Sequence, residues 1–331
     1  MRGTHRVIVQ NKRMRYDFAV RRNITIIRGD SATGKTTLIE MIREYYENGI
    51  SSGVQLYCDK ECTILSGRSW RTELALMEEC IVFIDEGNEF VLSDEFASAA
   101  QKTGNYYVIV TREGVPSLPY SVEEIYGIRN AGKYGTLKQT YNEFYQLYGL
   151  EDNRKAINPM MVITEDSNSG YQFFKAICDK NQIACICAGG KSNIFATMVN
   201  QDADKQQGTI LIIADGAAFG AEMEKIMHFM KTHERIALYL PESFEWLILK
   251  SGIIEDGGIS EILAVPGNYV DSREYFSWER FFTAVLVRKA DHTYLKYTKK
   301  ILNTAYLTEK QRSKILKTIQ QVIFEKETAG Q

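Results

Sequence analysis

Short apolar runs, separated by polar turns and amphipathic segments, recur along the whole chain. The runs at 24–27, 81–84 and 106–110 are apolar at nearly every position, which is typical of strands buried on both faces of a parallel sheet. Residues 6–20 alternate around a polar turn instead, which predicts a hairpin leading into the strand at 24–27 or a simple extension of the sheet. The succession of strands and helices predicts an α/β fold.

Weaker hydrophobic patterns occur in the rest of the first half of the chain. They predict short strands at 54–58 and 62–65, and helices at 37–42, 70–79, 93–102 and 141–150. Ser93 is a typical N-cap residue for the third of these helices.

The alternation of strands and helices restarts after a polar, proline-containing junction at 151–159. Further strands, with helices between them, are predicted at 160–164, 183–187, 209–214 and 236–240. From Ser272 onward the pattern is helical. The predicted domains are therefore 1–150, a second α/β domain at 158–250, and a mostly helical C-terminal extension at 251–331.

The composition is that of a globular protein with room for about two domains, since 44% of the 331 residues are apolar and 25% are charged. A net charge of -2 gives no overall attraction to nucleic acid, so such a contact needs a local basic patch. The first residues lack the apolar core of a secretion signal, and no apolar run is long enough to span a bilayer. We expect a cytoplasmic protein that does not contact a membrane.

The six cysteines include no CxxC pair. Because four soft ligands at zinc spacing are absent, we expect buried free thiols. Cys58 and Cys62 have the spacing of half a metal site, and no nearby His or Cys cluster completes it.

The first chemical motif follows the strand at 24–27. Residues 29–36 fit the phosphate-binding pattern G-x-x-x-x-G-K-[ST], and a helical pattern follows them. Backbone N–H groups of such a loop surround phosphate oxygens, and the positive helix end stabilises their charge. Lys35 is expected to reach the β- and γ-phosphates of ATP, and Thr36 to place its hydroxyl on Mg²⁺. The predicted nucleotide-binding residues are Gly29, Asp30, Ser31, Ala32, Thr33, Gly34, Lys35, Thr36 and Thr37.

A second motif closes the apolar run at 81–84, which ends in Asp85 and Glu86. A buried parallel strand delivers such acids to the carboxyl edge of the sheet, where the phosphate loop also lies. Asp85 is then a predicted Mg²⁺ ligand and Glu86 the catalytic residue that polarises the attacking water. Arg112, after the strand at 106–110, is a candidate to neutralise transition-state charge, or else a solvated loop residue.

These motifs resemble the core of the additional-strand P-loop ATPases, the branch that includes the ABC-type ATPases. The resemblance covers about residues 6–145 and implies ATP binding and hydrolysis. Leu65-Ser66-Gly67 stands near the position of an ABC signature, but it continues as Arg68-Ser69-Trp70, and the chain has no room for the helical arm of that family.

Several predicted strands of the second half also end in acids: Glu165, Asp215, and then Glu242 or Glu245. This pattern resembles a Toprim domain over about residues 158–250, in which an acid after the first strand and an Asp-x-Asp after the third bind Mg²⁺. The resemblance implies that Glu165 is catalytic and that Glu165 and Asp215 are metal ligands. Ala217 stands where the second Asp is expected, so Glu242 or Glu245 is a candidate replacement. The other interpretation is that these acids cap helices.

Gly190-Lys191-Ser192 imitates the end of a phosphate loop, but Cys185 stands where the first glycine would be. The segment is either a phosphate-facing turn or an ordinary helix start. Near the C-terminus, basic residues outnumber acidic ones and tyrosines lie among them, which indicates either a nucleic-acid surface or a solvated helix face. The basic residues are Arg288, Lys289, Lys296, Lys299, Lys300, Lys310, Arg312, Lys314 and Lys317.

The order of the two predicted domains resembles the overcoming-lysogenization-defect nucleases, which bacteria use against phage. It implies that ATP binding and hydrolysis in the first domain gate Mg²⁺-dependent cleavage of nucleic acid, DNA rather than RNA, by the second. The alternative is a nucleotide-driven switch whose second domain binds a partner or nucleic acid without cutting it. A small-molecule kinase is a third interpretation, which the Asp85-Glu86 pair makes less suitable. A homo-oligomer or an assembly with a partner protein is expected.

Overall fold

The computed structural model describes residues 1–29, 33–131, 139–149, 156–203 and 208–324. The fold is α/β, as predicted, with a large mixed sheet and a helical C-terminal part. The chain divides into two compact units. One consists of Met1–Gly149 and Val265–Ser277, and the other of Leu150–Ala264 and Trp278–Gln331.

The first unit is built on a sheet whose nine described strands run in the order β4-β1-β2-β9-β8-β3-β7-β6-β5. The strands are β1 His5–Gln10, β2 Met14–Val20, β3 Ile24–Ile27, β4 Gln55–Tyr57, β5 Cys62–Ile64, β6 Ile81–Ile84, β7 Tyr106–Val110, β8 Ile125–Asn130 and β9 Thr140–Gln146. The helices are α1 Lys35–Asn48, α2 Trp70–Leu74 and α3 Asp94–Ala100.

The strands β8, β3, β7, β6 and β5 are parallel to one another. Every residue of β3, β6 and β7 is buried, which agrees with their continuous apolar patterns. Strand β7 lies between β3 and β6 and pairs with both. One strand therefore separates the strand before the phosphate loop from the strand that precedes Asp85.

The predicted hairpin is confirmed, because β1 and β2 pair antiparallel from His5–Val20 to Gln10–Arg15. The Asn11 side chain accepts hydrogen bonds from the backbone N–H groups of Arg13 and Met14, at 2.8 and 2.9 Å, and so holds the turn. Ser93 caps α3, as predicted, by accepting a hydrogen bond from the Phe96 backbone N–H.

Two helix predictions were wrong in this unit. The segment 141–150 was expected to be helical, but Thr140–Gln146 is a strand that pairs antiparallel with β8 and parallel with β2. Phe144 stacks on Phe18 of β2, with ring centroids 4.3 Å apart, so cross-strand packing decides the conformation. Helix α2 ends at Leu74, well before the predicted end at Glu79.

The second unit contains a parallel sheet of four described strands in the order β11-β10-β12-β13. The strands are β10 Pro159–Thr164, β11 Ala184–Cys187, β12 Thr209–Ile213 and β13 Ile236–Tyr239. The helices are α4 Ser169–Lys180, α5 Lys191–Ala203, α6 Met223–Met230, α7 Phe244–Lys250, α8 Gly257–Ala264, α9 Trp278–Ala290 and α10 Glu309–Lys317. The alternation predicted for the second half is confirmed.

The segment predicted as a separate extension, 251–331, is divided between the two compact units. Residues 265–277 belong to the first unit, where the hydroxyl of buried Ser272 donates to the Gly104 carbonyl at 2.8 Å. Helix α9 belongs to the second unit and packs against α7. Within the described ranges, no helix is long and apolar enough to cross a membrane.

All six cysteines are free. Cys62, Cys80, Cys178 and Cys185 are buried, whereas Cys58 and Cys187 are half-buried. The prediction of buried free thiols is thus confirmed for four of them.

Candidate functional site

The phosphate-loop motif connects β3 to α1, in the order strand, loop, helix. Gly29 and Gly34 both have positive φ angles, of 139° and 92°, which a side chain would oppose. Helix α1 begins at Lys35, so Thr36 and Thr37 lie in its first turn. The predicted nucleotide-binding residues Asp30, Ser31 and Ala32 lie outside the described residues.

The Lys35 side chain is buried and folds back onto its own loop. Its Nζ donates to the Gly29 carbonyl at 2.6 Å and to the Thr33 hydroxyl at 3.1 Å. The loop end is also held from β2, because the Tyr16 hydroxyl donates to the Gly34 carbonyl at 2.9 Å. Burial raises the pKa of Tyr16 to about 12, so this hydroxyl keeps its proton at neutral pH.

Asp85 follows β6 directly and accepts a hydrogen bond from the Glu86 backbone N–H at 2.8 Å. Burial raises the pKa of its carboxyl, and the charges of Arg43 and Glu40 on α1 also act on it. The acidic strand end therefore lies close to the helix that follows the phosphate loop.

Glu86 points toward the end of β7, where its carboxylate forms an ion pair with the Arg112 guanidinium. Both side chains reach solvent. The structure thus brings together the two charged residues that follow neighbouring strands, although no sequence signal linked them. In this arrangement Arg112 compensates the charge of Glu86.

The residues of this edge suit a nucleotide with its Mg²⁺. Hydroxyl and carboxylate oxygens are the ligands that Mg²⁺ prefers, and Thr36 and Asp85 supply one of each. The buried ammonium group of Lys35 at the loop is suited to phosphate oxygens.

The second unit has its own acidic group at the carboxyl ends of β10 and β12. The Glu165 carboxylate accepts a hydrogen bond from the Asp215 backbone N–H at 3.4 Å, so the structure brings the two predicted metal ligands together. Burial, with the nearby Glu279, raises the pKa of Glu165 to about 7. Burial and the carboxylates of Glu279, Glu245 and Glu165 raise the pKa of Asp215 well above its usual value.

A pocket that opens to solvent joins these acids to residues from three other elements. Glu245, in the first turn of α7, is buried and accepts a hydrogen bond from the Tyr297 hydroxyl at 2.7 Å. Because the Tyr297 hydroxyl donates its proton to Glu245, the Ser169 hydroxyl is the donor in its own hydrogen bond to the Tyr297 oxygen, at 2.6 Å. Lys299 also lines the pocket and forms an ion pair with Glu279 on α9.

The fit to Mg²⁺ is incomplete here. Glu165 and Asp215 offer suitable oxygens, but Ala217 is buried in a short 3₁₀ turn after β12 and offers none. Nowhere in the part of the chain that the structure describes do three His, Cys, Asp or Glu side chains stand together in a way that would hold a metal ion. As arranged, these residues do not form a Mg²⁺ site.

The other acids that follow strands of this sheet, Glu242, Glu245 and Asp166, differ in their positions relative to the pocket. Of the two candidates to replace the missing Asp, Glu245 lines the pocket, whereas Glu242 is not among its lining residues. Asp166 accepts a hydrogen bond from the Asn168 backbone N–H at 3.0 Å, which forms a turn before α4 and does not cap the helix.

Gly189 and Gly190 form the turn before α5, which begins at Lys191. The Gly190 N–H donates to the Glu165 carbonyl at 2.7 Å, and Lys191 Nζ donates to the Ala218 carbonyl at 3.3 Å. The turn thus packs against the acidic edge of the sheet.

Several basic residues of the C-terminal segment are engaged within the second unit. Ion pairs join Lys289 to Asp256, Lys296 to Asp291, Lys299 to Glu279 and Arg312 to Glu309. Arg288, Lys300, Lys310 and Lys317 are exposed. Some of these basic residues are therefore neutralised by internal ion pairs, and a smaller number of them face solvent.

No protein-family model and no curated protein matches this chain.

Sequence reasoning did not assign four residues to the sites at which the structure places them: Tyr16, Tyr297, Ser169 and Glu279. None of them follows a strand of its sheet, which was the signal that identified the acids. Glu279 stands in the first turn of a helix, where an acid is common because of the helix dipole, so its presence there did not indicate a site. Its pairing with Lys299 could not be predicted, because the two residues are distant in sequence.

Proposed function

We propose that the first unit binds and hydrolyses ATP. The observation that carries the proposal is the arrangement of β3, β7 and β6, which brings Lys35 and the Asp85-Glu86 pair to the same edge of one parallel sheet. Ligands of parallel sheets bind at that edge. The strand β7 between the other two supports the resemblance to the additional-strand ATPases.

Each residue then has a chemical task. Lys35 donates to the β- and γ-phosphates after exchanging its bonds to the loop. Thr36 and Asp85 are the residues that would hold Mg²⁺, which supplies charge neutralisation for the departing phosphate when bound. Glu86 orients and polarises the attacking water, for which its ion pair with Arg112 has to open. Arg112 is then released at the edge where negative charge develops.

Nucleotide binding by purified protein tests this assignment. We expect Lys35→Ala to weaken the binding of a fluorescent ATP analogue at least about thirtyfold, because a buried hydrogen-bonded charge is lost. Lys102→Ala is the matched control, since Lys102 is an exposed lysine of the same unit. Equal affinities for wild type and Lys35→Ala would refute the site.

For the second unit we propose that the nucleotide state of the first unit controls its activity on nucleic acid. Its first candidate activity is cleavage, of DNA rather than RNA, which the meeting of Glu165 and Asp215 at one sheet edge supports. The exposed basic residues of the C-terminal segment are candidate contacts for the phosphate backbone.

The second candidate is a switch that binds nucleic acid or a partner protein without cutting. Two observations favour it: Ala217 supplies no ligand, and Lys299 brings a positive charge into the acidic pocket. The proposal of a homo-oligomer or a larger assembly holds for both candidates, and light scattering with and without ATP tests it.

A cleavage assay separates the candidates. Labelled DNA and RNA are incubated with the protein and Mg²⁺ or Mn²⁺, with and without ATP. Cleavage that disappears in Glu165→Ala, but persists in the exposed-site control Glu234→Ala, establishes the nuclease. ATP turnover with no cleavage under any of these conditions establishes the switch.

A further inference from the structure

The peptide bond that joins Asp85 to Glu86 is fixed from both of its sides. Its N–H group, on Glu86, donates to the Asp85 carboxylate at 2.8 Å. Its carbonyl group, on Asp85, accepts a hydrogen bond from the side-chain amide of Asn88, also at 2.8 Å. Because a peptide unit is planar, two such bonds restrain its rotation. The Glu86 side chain leaves the backbone next to this peptide, so its direction depends on these bonds.

Asn88 is itself anchored outside this turn. Its side-chain oxygen accepts a hydrogen bond from the Gly67 backbone N–H at 3.1 Å. Gly67 lies in the loop that follows β5, and β5 pairs in parallel with β6. Because the two strands are parallel, the loops that follow them start at the same edge of the sheet. The Asn88 amide thus joins two loops at the carboxyl edge, beside the acids.

A side chain that only closes its own turn is arranged differently. Asn11 is such a case, because its oxygen accepts hydrogen bonds from the N–H groups of Arg13 and Met14 within the hairpin turn. The Asn88 oxygen instead accepts from a residue 21 positions earlier in the chain. An amide offers a donor and an acceptor on separate atoms, and Asn88 uses both to connect two loops.

The backbone between Glu86 and Asn88 adds no restraint of its own. Gly87 is exposed and has a φ of 90°. Apart from its chain neighbours, no atom of the described residues lies within 4 Å of a Cβ built at this position. A glycine in open space has the most conformational freedom of any residue. The side-chain amide of Asn88, rather than packing around Gly87, therefore holds the turn in place.

We propose that Asn88 is a positioning residue for ATP hydrolysis, whose amide holds the Asp85-Glu86 peptide so that the Glu86 carboxylate faces the attacking water. The inference rests on the function proposed for the first unit. Misplacement of a catalytic group by about 1 Å lowers a rate about a hundredfold. Lys35 and Thr36, the proposed nucleotide ligands, lie on another loop. Asn88 therefore affects the rate of hydrolysis and not the affinity for ATP.

Steady-state ATP turnover and ATP affinity, measured on the same samples of the full-length chain, test the proposal. We expect Asn88→Ala to lower turnover at least about tenfold and to change the affinity for ATP less than about twofold. Asn88→Asp keeps the acceptor for Gly67 but loses the donor for the Asp85 carbonyl, so it should be as slow as Asn88→Ala. Asn48→Ala is the matched control, because Asn48 is an exposed asparagine at the end of α1.

A double variant shows whether Asn88 acts through Glu86. Adding Asn88→Ala to Glu86→Gln should lower turnover less than about twofold further, because the group that Asn88 positions is already lost. A residue that only stabilises the fold would instead slow both backgrounds by the same factor. It would also lower the melting temperature and the ATP affinity of Asn88→Ala together, and both are measured on these samples.

The proposal is overturned if Asn88→Ala or Asn88→Asp turns over ATP at the wild-type rate. It is also overturned if the losses from Asn88→Ala and Glu86→Gln multiply in the double variant, or if ATP affinity falls as far as turnover does. Each of these results is obtained with an active wild type. A wild type without turnover refutes the function proposed for the first unit and the positioning role with it, so the two failures are distinguishable.

Discussion

Asp17 on β2 shows how a single charged residue is held in this protein. The Arg6 guanidinium donates to both of its carboxylate oxygens, each at 2.7 Å, and Arg15 adds a contact at 3.2 Å. These hydrogen bonds, above all those from Arg6, lower the pKa of Asp17 below its ordinary value of 3.8. The unfolded chain thus binds a proton at a higher pH than the folded protein does.

The stabilisation from Asp17 is therefore present above about pH 4 and disappears as the pH falls through the lowered pKa. We predict that Asp17→Asn lowers the urea midpoint of unfolding at pH 6, and that this difference shrinks toward pH 3. Urea titrations of both proteins at the two pH values measure it. A difference that does not change with pH would contradict the assigned role.

Residues also show where sequence reasoning was limited. Lys35, Asp85 and Glu86 were found from the sequence because each stands at a fixed distance from an apolar strand. The partner of Glu86 was not found, because the adjacency of β6 and β7 is a property of the sheet order. Lys299 was noted only as part of a basic excess, since its pairing with Glu279 comes from tertiary packing.

Among the elements, the junction between the phosphate loop and α1 is tightly constrained. Gly34 has a φ of 92°, and a Cβ at this position would stand 2.9 Å from the Tyr16 hydroxyl. Tyr16 is fully buried in the core of the unit. The residue at position 34 must therefore combine a left-handed backbone with the absence of a side chain.

We predict that Gly34→Ala destabilises the protein by about 1–3 kcal/mol and weakens ATP binding. Gly53→Ala is the matched control, because Gly53 also has a positive φ, of 76°, but nothing lies within 4 Å of an added Cβ. Denaturant unfolding of both variants measures the loss of stability, and nucleotide titration measures the loss of ATP binding. If Gly34→Ala costs no more stability than Gly53→Ala, the steric argument fails.

The elements that depend on buried apolar runs were predictable, and β7 is observed with its predicted bounds, Tyr106–Val110. The strand β9 was not predictable, because its aromatic and polar residues also suit a helix. Its extended conformation is determined by pairing with β8 and β2. Tertiary context decided this conformation.

At the scale of the whole molecule, the chain leaves the first unit after Gly149 and returns to it at Val265–Ser277. The returning segment is part of that unit's core, since Val270 and Phe276 are buried and Asn23 donates to the Ser272 carbonyl at 3.0 Å. Hydrophobic patterns describe local elements, and they do not show which unit a distant segment joins.

We predict that Ser272→Ala destabilises the first unit by about 1–3 kcal/mol, because the buried Gly104 carbonyl loses its donor. The exposed neighbour Arg273 provides a control in Arg273→Ala. Thermal unfolding of the two variants measures the effect. Identical melting temperatures for Ser272→Ala and wild type would show that the returning segment contributes little.

The central claim is that the first unit hydrolyses ATP with Glu86 polarising the attacking water, and steady-state ATP turnover tests it most directly. Wild type and Glu86→Gln are compared in Mg²⁺, with ATP binding measured on the same samples. The account predicts that Glu86→Gln still binds ATP and that its turnover falls at least about a hundredfold. Unchanged turnover in Glu86→Gln, or no turnover by the wild type, would contradict it.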